Sequence, residues 1–268
     1  MKKQHLMLLF LVITTGCLGG QLKVHVDVLD NITSIAIVPM ESPPLSIFPT
    51  VSTDSLFVGS TKATTIPVES VQQAGAIGVF VSGIFMLVEL PSGMKESAKQ
   101  AASFDAVINR GEVWIPTVMF AREAANQITS QVKYNVVIQE VRKFPGLTNR
   151  GRTFFMENWM KPIRDWHKAD QSIFDYSSLE KQGFHAVLEV GMLGYGYTGD
   201  FVTLDVMFKL IDARTGRVIG RSVESTYTET DKGEPLLAND GKNFKELIGS
   251  LGSELIDRNM RSIGLISE

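Results

Sequence analysis

The sequence predicts an α/β (α+β) sandwich: a mixed sheet with helices packed on it and three consecutive antiparallel strands near the C-terminus. Three observations predict it. Short apolar runs of strand length, such as Ser34–Met40 (SIAIVPM), alternate along the chain with helical periodicity. The stretch from His185 to Tyr227 holds three β-rich segments, two of them joined by a tight glycine-bearing turn. The order strand, insert, helix, strand, helix, three strands, helix gives a layered sheet with helices on one or both faces.

Taken in order, Lys23–Val28 (KVHVDV) alternates and reads as a strand. Ser34–Met40 is almost continuously apolar, which suits a strand buried on both faces whose last residues leave the sheet at Pro39. Pro43 and Pro44 stop regular structure, and Leu45–Val68 is a Ser/Thr/Pro-rich looping segment. Met94–Asn109 reads as an amphipathic helix. Val118, Ala121, Ala125 and Ile128 recur at helical spacing and predict a second helix over 115–131. Tyr134–Gln139 is a strand and Tyr176–Gln182 a short helix. His185–Leu193, Phe201–Asp212 and Arg217–Tyr227 are the three consecutive strands. In the middle one Val202, Leu204, Val206, Phe208 and Leu210 face one side, opposite Thr203, Asp205 and Lys209. Asp212–Gly216 is a hairpin turn with Gly216 taking the positive φ. Asn239 or Asp240 caps a last helix whose buried face carries Phe244, Leu247, Ile248, Leu251 and Leu255.

The first seventeen residues specify an address. Lys2 and Lys3 precede an apolar core at Leu6–Ile13, followed by Thr14, Thr15, Gly16 and Cys17, the single cysteine of the chain. That core is too short to span a bilayer, which takes about 20 helical residues. The segment resembles the lipobox of bacterial lipoproteins, with Thr14 standing where leucine is usual. The resemblance implies cleavage after Gly16, a diacylglyceryl group on Cys17 and acylation of the new N-terminus. Leu18 in place of Asp implies sorting to the outer membrane. The domain plan is then 1–16 signal peptide, 17–33 lipidated tether or edge strand, and 34–268 a periplasmic domain with an apolar insert at about 41–114.

Composition fits a globular protein, with 44% hydrophobic and 21% charged residues. Loss of Lys2 and Lys3 moves the formal charge from −3 to −5, a balance that does not suggest nucleic-acid binding. With Cys17 acylated no thiol remains for a disulfide, so packing must hold the domain.

Two stretches stand out. Ala74–Leu90 (AGAIGVFVSGIFMLVEL) is nearly uncharged; as a helix it would be about 25 Å long. Ala74, Gly78 and Ser82 then share a face at four-residue spacing, with Phe85 beyond them, and small residues so spaced let helices approach closely. Core element, membrane or oligomer contact, and partner-binding helix are the three readings. Val141–Lys168 is the other. It carries Arg150, Arg152 and Arg164 among seven basic residues, with Phe154, Phe155, Trp159 and Trp166, against only Glu157 and Asp165. Arg and Trp dominate binding hot spots, so these residues are the candidate partner-binding set. The other reading is a connection whose aromatics pack on the core while its charges stay solvated.

Motifs for chemistry are weak. Gly194, Gly196 and Gly199 spell G-x-G-x-x-G, but a strand and not a helix follows, so the motif reads as a Gly/Tyr-rich hairpin loop. His25, His167 and His185 lack metal-ligand spacing. Glu157 and Asp165 read as surface ion-pair partners of nearby Lys and Arg. No catalytic residue, cofactor or metal is expected.

The runs SIAIVPM, YNVVIQ, GFHAVLEVGML and VTLDVMFKLIDARTGRVI, in that order, resemble the periplasmic α/β module of the curli-secretion-channel lipoproteins, the penicillin-binding-protein-activator lipoproteins and the N-terminal domain of the Tol system's β-propeller protein. The resemblance covers about 34–40 and 115–260. It implies a binding or assembly protein of the envelope, anchored through Cys17 with a protein partner and room for a homo-oligomer. An oligomeric export channel inserting Ala74–Leu90 is the alternative, and an envelope hydrolase the second. In the curli channel, inserted hairpins line a barrel; here the apolar run lacks clean alternation.

Overall fold

The computed structural model describes residues 20–47, 104, 106–110, 113–132, 134–145, 156–197, 201–230, 236 and 238–267. In chain order the elements are α1 (Val26–Leu29), β1 (Ser34–Pro39), β2 (Ser46–Ile47), α2 (Pro116–Gln131), β3 (Asn135–Ile138), α3 (Met156–Lys168), α4 (Ser177–Lys181), β4 (Ala186–Tyr197), β5 (Phe201–Asp212), β6 (Val218–Glu229) and α5 (Ala238–Ile263). The expected mixed sheet is present. Its order is β3-β1-β4-β5-β6, with β2 pairing the far end of β4. β1 runs parallel to both β3 and β4, while β4, β5 and β6 are successive antiparallel neighbours.

β1 is buried along its whole length, as its unbroken apolar run requires of a central strand covered on both faces. α2 and α5 pack on one face of the sheet and α3 on the other. The even positions Val202–Leu210 of β5 join the cluster under α2 and α5, as the alternation predicts; Met207 and Ile211 join the cluster under α3. Pro116 sits at the first turn of α2, where its missing N–H costs nothing. Gly252 of α5 lets Phe120 of α2 press close, since a Cβ there would lie 2.2 Å from its ring.

Four expectations are corrected. Lys23–Val28 is not a strand: Leu22 makes an isolated antiparallel bridge to Arg221, and the chain then turns into α1. Val24 is buried but Val26 is exposed, so the valines do not share a buried face. Pro39 stays in register opposite Val190 and does not leave the sheet. Gly194 and Gly196 lie within β4 and not in a hairpin loop, because a bulge between Met192 and Gly194 resets the alternation. That reset turns Tyr195 and Tyr197 toward the α2/α5 cluster. Asn239 and Asp240 do not cap α5 from extended backbone; with Gly241 they form a left-handed kink (φ 54°, 57° and 71°) before the regular helix begins.

Candidate functional site

The one stretch of Val141–Lys168 described as regular structure is α3, and its chemistry is directed inward. Trp159 and Trp166 are 5% and 1% exposed. Both belong to the cluster that joins α3 to the sheet, with Phe144 edge-on to Trp166 at 5.5 Å. Gly191 makes room for Trp166 on β4, where a Cβ would fall 2.7 Å from the indole. The expectation that these two tryptophans form a docking surface is therefore corrected: they pack on the core, where Ala36, Val38, Val187, Met207 and Ile211 offer a largely apolar sheet face to cover. Arg164 is half-buried on the same helix. Arg150, Arg152, Phe154 and Phe155 lie outside the described residues, as do Cys17, Ala74, Gly78, Ser82 and Phe85.

Beneath α3 the structure gathers polar groups from four elements. Glu189 of β4 accepts hydrogen bonds from Trp166 Nε1 (2.6 Å), the Tyr176 hydroxyl (2.7 Å) and Ser172 Oγ (3.1 Å). Lys209, its cross-strand neighbour on β5, donates from Nζ to the Trp166 carbonyl (2.6 Å) and lies 5.5 Å from the centre of the indole. Arg221 of β6 donates to the carbonyls of His167 (3.2 Å) and Lys168 (2.6 Å) and pairs with Asp170 (2.9 Å). Two cations from the sheet thus meet the last carbonyls of α3, the end where the helix dipole favours positive charge. His167 donates from Nε2 to the Ser222 carbonyl (3.0 Å), which fixes the neutral Nε2–H tautomer and leaves Nδ1 without a partner.

Burial dominates the electrostatics. It raises Glu189 above the ordinary carboxyl range, with Lys209 pulling the other way. It lowers Lys209 to about 8, opposed by Glu189. It pushes His167 down to about 4 and raises the Tyr176 phenol. Farther along β5, Asp205 is fully buried opposite Ser225 of β6, and burial lifts it to about 7, with the Ser225 hydroxyl pulling the other way. The sequence carried only part of the signal for the joint: Glu189 and Lys209 are opposite charges inside apolar strands joined by a hairpin, but nothing in that pattern marks them as buried.

Beside α3 lies an open groove of about 360 Å³ lined by Phe144, Pro145, Lys161, Pro162, Asp165, Trp166 and Ile173. Lys161 and Asp165 form an exposed ion pair at 2.5 Å on its rim, and Ile173 is exposed beside it. Among the described residues no cluster of three or more His, Cys, Asp or Glu could hold a metal, and no helix is long and apolar enough to cross a membrane.

No family model and no curated protein matches the chain. Similar solved structures include the PelC dodecamer from Paraburkholderia phytofirmans (12% identity, covering 88% of this chain and 89% of that one, TM-score 0.34). Lipoprotein GNA1162 from Neisseria meningitidis is another (18% identity, 53% and 85%, TM-score 0.30). The LpoB C-terminal domain from Salmonella enterica is a third (9% identity, 73% and 83%, TM-score 0.23). All three are loose likenesses.

Proposed function

We propose that this chain is a lipid-anchored protein of the bacterial envelope, facing the periplasm from the outer membrane and acting by binding or assembly in an envelope or secretion complex, without catalysis. The observation that carries the reading is the order of residues 1–22: a positive start, a short apolar core, a single cysteine after a small residue, and five residues later the first backbone pairing of the domain at Leu22. The polar groups beneath α3 support the non-catalytic part. Glu189, Lys209 and His167 are buried, and their hydrogen bonds fasten α3 to β4, β5 and β6. The groove beside α3, with Phe144 and Trp166 at its base and Lys161 and Asp165 at its rim, suits a protein partner.

The test is the intact mass and membrane fractionation of the wild type beside Cys17→Ser, followed by light scattering of the detergent-extracted protein. A diacylglyceryl-plus-acyl mass increment lost in Cys17→Ser, and an extracted particle larger than one chain, are the expected results. A wild type without lipid would sink the anchor, and a bare monomer would sink assembly through a partner or a second copy.

A further inference from the structure

We propose that the β6 edge of the sheet, with residues 21–24 fastened to it and to the end of α5, is the side of the domain that faces the bilayer, and that Leu22 and Val26, the first residue of α1, touch its surface; the proposal rests on acylation of Cys17. The N-terminal segment is stitched to that edge. Leu22 and Arg221 exchange backbone hydrogen bonds at 2.8 and 2.9 Å, the Val24 N–H donates to the Ile263 carbonyl (3.0 Å), and Gln21 Nε2 donates to the Ser262 carbonyl (3.0 Å). Val24 fills the space over Gly220, where a Cβ would be 2.7 Å from its methyl. The entry point of the chain is therefore fixed between β6 and the end of α5.

Chain length then restricts orientation. From Cys17 to Leu22 is five residues, which span at most about 18 Å when fully extended. The sheet is four strand spacings wide from β6 to β3, roughly 19 Å. A lipid held at Cys17 would have to stretch its tether completely before the β3 edge could turn to the membrane, whereas the β6 edge meets it with slack. Independently, the segment just behind the anchor leaves large apolar side chains uncovered. Val26 is 67% exposed, the highest of the exposed large hydrophobics among the described residues, and Leu22 is 36% exposed. Exposed Lys23, Asp27 and Asp30 on the same stretch carry both signs, so the contact is apolar and needs no anionic lipid.

The acylated thiol of Cys17 is unreactive, so Val26→Cys and Val137→Cys each provide a unique labelling position, the second on exposed β3 at the opposite edge. Each full-length, processed variant is labelled with an environment-sensitive fluorophore and reconstituted in phosphatidylcholine vesicles containing a nitroxide-bearing phosphatidylcholine. Interfacial apolar residues sit about 5–10 Å into the headgroup boundary, so about threefold stronger quenching at position 26 than at 137 is expected. Equal quenching, or stronger quenching at 137, in a protein whose mass shows the lipid overturns the orientation and leaves the anchor standing. A protein whose mass shows no lipid overturns the anchor, and the orientation with it.

Discussion

On one face of the sheet, Phe120 of α2 lies against Gly252 of α5 over a cluster of Ile, Val, Leu and Phe. Its deepest polar contact is small and closed: Ser222 Oγ donates to Asn259 Oδ1 (2.7 Å), and Asn259 Nδ2 donates to the carbonyls of Leu255 (2.9 Å) and Val206 (3.3 Å). On the other face a single long helix, α3, is held by a buried carboxylate, a buried lysine, a neutral histidine and an arginine. Two helices can bury a sheet face with apolar area. One helix of 13 residues carrying Lys161, Arg164, Asp165 and Lys168 has less to bury and uses directional bonds to set its position. The first face should answer to volume and the second to charge and pH.

Removing volume or charge gives the largest effects. Phe120→Ala on the first face should cost about 3–5 kcal/mol by opening a cavity, equally at pH 5 and pH 8. Lys209→Met on the second should cost about 3–5 kcal/mol, because Glu189 loses its compensating charge and the Trp166 carbonyl its donor. Adding Glu189→Gln to Lys209→Met should restore part of that loss. Urea midpoints of the single and double variants check this; strict additivity would mean that Glu189 and Lys209 do not act as a unit.

Next comes pH. The unfolded chain protonates His167 near 6.5, whereas the folded one waits until about 4, so the unfolded state binds more protons in between. Stability conferred by neutral His167 is present above about pH 6.5 and is lost as pH falls toward 4, about 3 kcal/mol in all. Asp205 has the opposite sign. Its folded carboxyl keeps its proton up to about 7 against 3.8 unfolded, so its contribution is full below 3.8 and is lost as pH rises to 7. The two largely offset each other in the wild type, and single variants separate them. His167→Gln keeps a donor for Ser222 and should flatten the loss on acidification, while Asp205→Asn should flatten the loss on approaching pH 7. Thermal midpoints from pH 4 to 8 measure both, and an unchanged profile in either variant removes that group from the account.

Much of this contrast was legible in the residues, and the rest was hidden for physical reasons. The period-3.6 pattern of Val118 to Ile128 located α2, and the alternation from Val202 to Leu210 located β5 and its face. Alternation of Thr203, Asp205 and Lys209 looks the same whether the opposite face is solvated or covered by another layer, so the buried pair beneath α3 was not visible there. Trp159 and Trp166 have the composition of a hot spot, yet composition does not tell an exposed ring from one that closes a sheet face. The bulge near Gly194 hid the true length of β4, because one extra residue reverses which side chains point inward.

A smaller perturbation tests whether the first face depends on close approach. Gly252→Ala places a methyl against the Phe120 ring and should cost about 1–3 kcal/mol through overpacking. Gly252→Ala combined with Phe120→Leu should recover part of that loss. Failure to recover would locate the strain in the helix and not in the contact.

The smallest effect falls at Arg221, where the two faces of the sheet and the N-terminal segment meet. Arg221 reaches the end of α3 through its side chain, while its backbone pairs with Leu22 in the N-terminal segment, so Arg221→Gln removes only the first link. Cations at a helix C-terminus contribute about 0.3–2 kcal/mol, and about 1 kcal/mol is expected here. Arg221→Lys should restore less than half, since an ammonium cannot span two carbonyls and the Asp170 carboxylate as the planar fork does. Amide exchange should rise around Ala169, whose N–H bonds to the Asp165 carbonyl in the last turn, and should not change at Ile248 or Leu255. Faster exchange in α5 as well would show that the two faces open together. Exchange confined to α3 would make that helix a separately released layer, loosened without disturbing the strands and the N-terminal segment paired to β6.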